Sequence, residues 1–524
     1  MKANEKSCSV LAVSVFSQID HSNDLDVDFM VGYLRGEKIP TDSFYVERGS
    51  FEQDMEKLYG FQPYDIYVFY MRPNNLRTCF QICRNLKQRN KDICICAVGD
   101  IVAGCYKDIL QSSEDIDYIV LGSPDEAVGY IARQFRSGEI DLNTRKNIVS
   151  HSYSDGRCAY DSTDFHQNYV DDYFYTHPFS LKMCYCLLTK NKGCSGGCTF
   201  CIEKKHDRFI YASADSIYQT IVDKKRNLHL THFFILDDNL FDGPDNLAKK
   251  RIWDLCDLLI NGKTKVTFSF LMRPDSFHDT REDNELLEKM YEAGFIQGSF
   301  GAEAGNEMDL KLYGKGCNIQ DVRRSYELLH RHHMNARTGF ILLNPYSTCD
   351  RMRDNYKLLR EFQSGDLFRF AGAYLALYKN TAIYHKLERD NMLRMPYDYL
   401  DDRCYIYRSD EANRVAKFLE EYFWEDHRLW ELETADSLVF LFNKLFRFHD
   451  EYFNYQDQVQ RLADEYSLML INYFESLYLY FDFDKCIRGF EAFKNRLIGL
   501  HNKIVALEKR LMLVYMKGRK KGEE

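Results

Sequence analysis

Short apolar runs alternate with amphipathic stretches through the first 140 residues. The runs at 9–17, 44–46, 65–71, 93–98 and 118–121 predict strands, and 26–35, 52–59, 76–88, 101–111 and 125–135 predict helices. Five βα units in succession predict an α/β domain with a parallel, doubly wound sheet of flavodoxin-like (Rossmann) type. Ligands on such sheets bind beyond the carboxyl ends of the strands, here near 17–20, 72–75, 99–104 and 122–125. Residues 141–180 lose the rhythm and are rich in Ser, Asp, His and Tyr, which predicts a linker or covering strap. From 181 the alternation resumes, with strands expected at 184–189, 232–237, 265–271, 296–303, 337–343 and 369–377. Helices are expected at 214–225, 248–260, 284–293, 319–333 and 350–361. Six strands with intervening helices fit a second open sheet or a partial (β/α)6 barrel, and either one works at its strand C-termini. After about residue 380 the strands stop. Residues 411–516 carry apolar and aromatic side chains at three-to-four spacing (Leu438, Leu441, Phe442, Leu445, Phe446), which predicts a helical cap or substrate-binding domain. The last eight residues, 517–524, read as a frayed end. The expected division is therefore 1–140, a linker at 141–180, 181–380, and a helical domain at 381–524.

Composition narrows the class. A chain of 524 residues exceeds what one hydrophobic core organises, and 45% hydrophobic with 28% charged residues is ordinary for globular protein. A net charge of −10 gives no electrostatic footprint for nucleic acid. The apolar run from Val10 to Phe16 is followed by Ser17-Gln18-Ile19-Asp20 without a small-residue cleavage site, so a buried first strand is expected rather than a secretory signal. No apolar stretch is long enough to span a membrane. Most of the 17 cysteines sit singly inside apolar segments, which suits reduced thiols and a cytoplasmic location.

One segment carries chemistry: Gly193-Cys194-Ser195-Gly196-Gly197-Cys198-Thr199-Phe200-Cys201. Three thiolates within eight residues, on a loop with three glycines after a predicted strand, can converge on one metal centre. Glycines let backbone N–H groups approach the sulfurs and tune a cluster. Zinc is the competing metal, because His206 lies five residues past Cys201 and completes a Cys3His set. Structural zinc cysteines usually come as two separated pairs, whereas this is one compact CxxxCxxC triplet, and an iron–sulfur cluster is the better reading. Three protein ligands on a four-iron cluster leave one iron open to a small molecule.

This triplet, with an aromatic residue before its last cysteine and a βα barrel around it, resembles the radical S-adenosylmethionine (SAM) superfamily. The resemblance implies a 4Fe-4S cluster on Cys194, Cys198 and Cys201 whose open iron chelates SAM. One-electron reduction then gives methionine and a 5′-deoxyadenosyl radical. Later landmarks resemble the same family: Asp237-Asp238-Asn239 at the second strand, Arg273-Pro274-Asp275 at the third and Gly301-Ala302-Glu303 at the fourth. Tyr313-Gly314-Lys315-Gly316 resembles the turn that follows. Asp237, Arg273 and Glu303 are the side chains expected near SAM. The fifth-strand segment departs from the pattern, with Asn344 where the family usually carries glycine.

A flavodoxin-like domain ahead of such a barrel resembles the cobalamin-binding subclass. Gly99 and Gly104, after the fourth strand, and Gly122, after the fifth, are expected to face the corrin or its nucleotide tail. No Asp-x-His-x-x-Gly motif is present, and Asp20-His21 reads as a solvated turn. The full expectation is a flavodoxin-like cobalamin-binding-type domain, a central partial (β/α)6 radical SAM barrel and a C-terminal α-helical domain. The expected activity is cobalamin-dependent methylation of an unactivated carbon on a small-molecule or peptide substrate. An electron donor such as flavodoxin or ferredoxin supplies the reductant, and neither nucleic acid nor membrane is involved. Rearrangement, cyclisation or C–S bond formation, with cobalamin in another role or absent, is the alternative. A zinc-stabilised binding protein is the reading from another class.

Overall fold

Fully buried strands explain why the apolar runs of the first 140 residues are continuous rather than alternating. In the computed structural model β1 (Val10–Val15), β3 (Ile66–Tyr70) and β4 (Cys94–Val98) are buried at every position. The structure describes all residues except 1–7, 17–21, 62, 136–139, 158–169, 177–179, 203–208, 244, 365–373, 425–428, 430–431, 433 and 523–524. The chain divides into two units. One comprises residues 1–191 with 378–381 and 398–402, and the other comprises 192–377, 382–397 and 403–524.

In the first unit, β2 (Thr41–Val46), β5 (Tyr118–Val120) and β6 (Ile148–Val149) complete a six-stranded sheet of order β2-β1-β3-β4-β5-β6. Every pairing is parallel except β5–β6. The first five strands have the expected flavodoxin-like order. β1 lies between β2 and β3, so the strand order reverses there and opens the crevice where such folds take ligands. Two details differ from expectation. β2 starts at Thr41 rather than 44, because its polar first half alternates in burial. The segment expected as a linker adds the two-residue edge strand β6, too short to leave a periodic signal.

Gly99 and Gly122 follow β4 and β5 with φ of 123° and 101°, conformations that side chains rarely adopt. A Cβ on Gly99 would stand 2.3 Å from the Met71 carbonyl oxygen. Gly104 lies inside the helix Asp100–Ser112, and the Asn380 amide donates to its carbonyl. At the end of β3, Arg72 is buried and paired with Asp24 at 2.7 Å and Asp26 at 3.2 Å. The Asn75 amide donates to the Val15 carbonyl at 2.7 Å, tying the ends of β1 and β3 together. The expected ligand-facing stretch at 17–20 and Asp20-His21 lie outside the described residues. β7 (Tyr185–Leu187) also falls in this unit.

In the second unit, β8 (His232–Ile235), β9 (Thr267–Met272), β10 (Phe295–Glu303) and β11 (Asn335–Phe340) pair in parallel in the order β11-β10-β9-β8. Phe233, Phe268, Phe270 and Phe295 fill the layer around them, with Phe268 and Phe295 stacked at 4.7 Å. Helices Ala214–Leu228, Arg281–Glu292, Ile319–Arg331 and Cys349–Glu361 each start on a Ser, Thr or Asn cap that accepts a backbone N–H, the capping chemistry that sets helix starts. Element ends shift from the expected positions by up to three residues. Of the sixth expected strand, residues 369–373 lie outside the described residues, and Tyr374 makes an isolated parallel bridge with Leu343.

The C-terminal region is helical as expected, with Ala435–Phe446, Gln456–Tyr478 and Phe483–Gly522 as its long elements. The last of these corrects the frayed-end reading of 517–524, since the helix continues to Gly522. Lys and Arg are good helix formers and no proline interrupts them. Among the described residues no helix is long and apolar enough to cross a membrane.

Candidate functional site

The cysteine loop is held by tethers from two neighbouring segments of the second unit, 238–242 and 312–313. Gly193, at φ 107°, donates its N–H to Asp238 at 2.7 Å. Ser195 donates both its N–H and its hydroxyl to Asp242, and the Asn239 amide holds that carboxylate at 2.7 Å. Thr199 donates its N–H to the Tyr313 carbonyl and its hydroxyl to the Leu312 carbonyl, both at 2.8 Å. The ring of Phe200 meets Tyr313 edge-on at 5.6 Å. A cavity of about 1030 Å3 opens beside this loop. Cys194, Cys198, Cys201, Arg273, Glu303 and Lys315 all line it.

Two cations face the thiols. Arg273 grips Asp275 through two bonds of 2.9 Å and donates to the Lys315 carbonyl at 2.8 Å. Burial opposes its charge, but Asp275 and the nearby Cys194 and Cys198 raise its pKa above the ordinary value. The Lys315 ammonium pairs with Glu303 at 2.9 Å in a largely buried contact. Burial likewise lowers its pKa, and Glu303 with Cys198 more than reverses this. Burial and Asp242 push the Cys194 thiol up, while the Gly196 N–H at 3.2 Å pulls it down.

Glu303 owes its position to the backbone. A bulge at the end of β10 separates Gly301 from Glu303, and Glu303 itself has φ of 62°. Such left-handed conformations cost a non-glycine residue free energy and concentrate at functional sites. A Cβ on Gly301 would meet Glu303 Oε1 at 2.0 Å and Lys315 Nζ at 2.5 Å. Gly301→Ala is therefore expected to force the pair apart and to destabilise the fold by about 1–3 kcal/mol. Thermal denaturation checks this, and an unchanged melting temperature would show that the pair tolerates displacement.

The donor chemistry fits a multi-iron cluster. Each cysteine of such a cluster binds a different iron, so the sulfurs need not crowd around one point. Among the described residues no group of three His, Cys, Asp or Glu side chains is placed to hold a single ion. His206, the fourth ligand of the zinc alternative, lies outside the described residues. A Cβ on Gly196 would stand 2.6 Å from Arg273 Nη1 and 3.3 Å from Cys194 Sγ, so a side chain there would have to displace the Arg273 guanidinium.

The structure brings Arg273 and Glu303 to the cavity with the three cysteines. Asp238 lines the cavity, whereas Asp237 is buried and acts on the charge of Arg251. Gly99, Gly104 and Gly122 belong to the first unit. Asn344 is fully buried and donates to Asp309 at 3.0 Å and the Tyr313 hydroxyl at 2.8 Å. In place of glycine it braces the residue whose carbonyl holds Thr199. Asp242 was not among the expected site residues, and Ser195 and Tyr313 were expected only as members of their motifs, without these roles. The only available signal was the polar run Asp237-Asp238-Asn239, continued by Asp242.

Residues 189–359 match the sequence model of the Radical SAM superfamily. The anaerobic magnesium-protoporphyrin IX monomethyl ester cyclase of Cereibacter sphaeroides is 22% identical over 273 residues, 49% of this chain and 43% of that protein. The 4'-phospho-dehydrooxetanocin synthase of Priestia megaterium is 27% identical over 189 residues, 33% of this chain and 25% of that protein. The chain thus aligns with less than half the length of these curated relatives. The cobalamin-dependent SAM radical enzyme OxsB, solved with aqua-cobalamin and SAM, superposes with a TM-score of 0.67 at 15% identity, covering 99% of this chain and 82% of that one. The radical SAM methyltransferase TsrM from Kitasatospora setae, solved with cobalamin and a [4Fe-4S] cluster, gives 0.53 at 12% identity over 73% and 75%. The α/β fold expected from sequence is therefore the fold of cobalamin-dependent radical SAM enzymes.

Proposed function

We propose, from the premise that residues 189–359 are a radical SAM domain, that this chain is a cobalamin-dependent radical SAM methyltransferase acting on an unactivated carbon. Cys194, Cys198 and Cys201 would hold the 4Fe-4S cluster. When bound, the cluster supplies the electron that cleaves SAM to methionine and a 5′-deoxyadenosyl radical. The observation that supports this most is the one cavity shared by the three thiols, the Arg273 guanidinium and the Glu303–Lys315 pair.

Each side chain has a part that follows from its chemistry. Arg273 and Lys315 offset the negative charge of the thiolates. Glu303 accepts hydrogen bonds from a hydroxyl or amine of SAM, and its Lys315 partner keeps it ionised and oriented. Asp238 and Asp242 hold the cysteine loop through backbone and serine donors, which fixes the sulfur positions. In the first unit, Gly99, Gly104 and Gly122 lie on the fourth- and fifth-strand side of the sheet, and Gly99 and Gly122 form its C-terminal turns. Cobalamin bound there would carry the methyl group. An electron donor of the flavodoxin or ferredoxin kind and a cytoplasmic setting go with this reading.

Ring formation or rearrangement is the second reading, favoured by the names of the cyclase and synthase relatives. Product analysis separates the two. Reduced, cobalamin-loaded protein supplied with SAM and substrate forms S-adenosylhomocysteine alongside 5′-deoxyadenosine if it methylates. Release of 5′-deoxyadenosine without S-adenosylhomocysteine supports the second reading and excludes the first.

A further inference from the structure

Among the described residues, three Lys or Arg side chains line the cavity: Arg273, Lys315 and Arg337. The first two are paired with Asp275 and Glu303. Arg337 is different. It sits on β11, is exposed, and its side chain makes no hydrogen bond or ion pair with any described residue. Register places it opposite Ser299 on β10, while Gly339 lies opposite Gly301 and Phe340 opposite Glu303. Two residues along a strand are about 7 Å. Arg337 therefore stands one pleat deeper than the Gly301–Glu303 level, on the same side of the strand as Gly339.

The surroundings suit a ligand group rather than an internal partner. Ser299, Asn335, Asn443 and Gln456 line the same cavity and offer neutral hydrogen-bonding groups. Two carboxylates share that part of the wall: Asp464, to which Gln460 donates, and Asp436 on the helix Ala435–Phe446. It is Asp436 that feels the Arg337 charge. Its carboxyl is pushed up by burial, against the pull of Arg337. Tyr326, stacked on Phe362 at 4.1 Å, and Phe442 give aromatic wall. At about 1030 Å3 the cavity is at the upper end of small-molecule sites, with space for a second molecule beside SAM. A planar guanidinium with five free donors matches the two oxygens of a phosphate or carboxylate.

We infer that Arg337 anchors an oxyanionic group of the substrate, a phosphate monoester or a carboxylate, one pleat beneath the SAM end of the cavity. The inference rests on the radical SAM reading of that cavity. The substrate is then an anionic small molecule whose reacting carbon lies between its anionic group and the cysteine loop.

Three probes with one ring separate the charge from the rest: phenyl phosphate, benzoate and phenol, titrated calorimetrically into cluster-loaded full-length protein with SAM present. At least one anion is expected to bind about tenfold or more tightly than phenol. Preference for phenyl phosphate names a phosphate, and preference for benzoate names a carboxylate. Arg337→Gln is expected to abolish the preference and Arg337→Lys to restore part of it, with melting temperatures confirming that both variants fold. Equal binding of all three probes, no binding of any, or a preference that survives in Arg337→Gln would overturn the inference. Failure of the wild-type protein to release 5′-deoxyadenosine from SAM is a separate result, and it would count against the proposed chemistry instead.

Discussion

Cys198→Ala is expected to lose the iron–sulfur cluster and, with it, release of 5′-deoxyadenosine from SAM. Cys198 lines the cavity, and its neighbours Thr199 and Phe200 are tied to Leu312 and Tyr313. Removing its sulfur leaves the loop tethered but one ligand short. The chain should therefore fold, as circular dichroism would report, while iron content and SAM cleavage fall to background. Asp242→Asn is the graded comparison, since it keeps all three thiols and weakens the grip on Ser195 and Asn239. Changes of that kind cost about 10- to 100-fold in metal affinity or activity. A Cys198→Ala protein that kept its iron and its activity would show that the triplet is not the cluster site.

The second large effect concerns Glu303 and Lys315. The two side chains are 13% and 8% exposed, and breaking such a buried pair by removing one partner costs about 3–5 kcal/mol. Glu303→Gln is expected to lower the melting temperature, because it strands the Lys315 charge, and to weaken SAM binding as well. Lys315→Met combined with Glu303→Gln should recover much of the stability, because no uncompensated charge remains. It should not recover SAM binding. That split separates a binding role from a structural one. Recovery of both properties in the double variant would assign the pair to folding alone.

The strand order of the first unit was legible because each strand is a continuous apolar run followed by an amphipathic helix. β6 was not, since Ile148–Val149 is two residues long and finds its partner β5 almost thirty residues earlier. Cys194, Cys198 and Cys201 were legible because their spacing lies within one loop. The Glu303–Lys315 pair was half legible: both residues lay in recognisable segments, but their contact depends on the left-handed backbone at Glu303. Asp242 was hidden for another reason. It acts on Ser195 across 47 residues, and no periodicity links the two. Asn344 looked like a departure at the SAM site, and burial turned it into a brace for Tyr313 instead. Arg337 was invisible as a site, because its lack of a partner is a property of the folded cavity.

Every assigned role depends on an iron–sulfur cluster held by the Cys194–Cys198–Cys201 loop. Metal and sulfide analysis of anaerobically purified protein, with electron paramagnetic resonance of the dithionite-reduced sample, tests it most directly. About four iron and four sulfide per chain are expected, with a reduced-cluster signal that changes when SAM is added. Stoichiometric zinc with neither iron nor sulfide would contradict it.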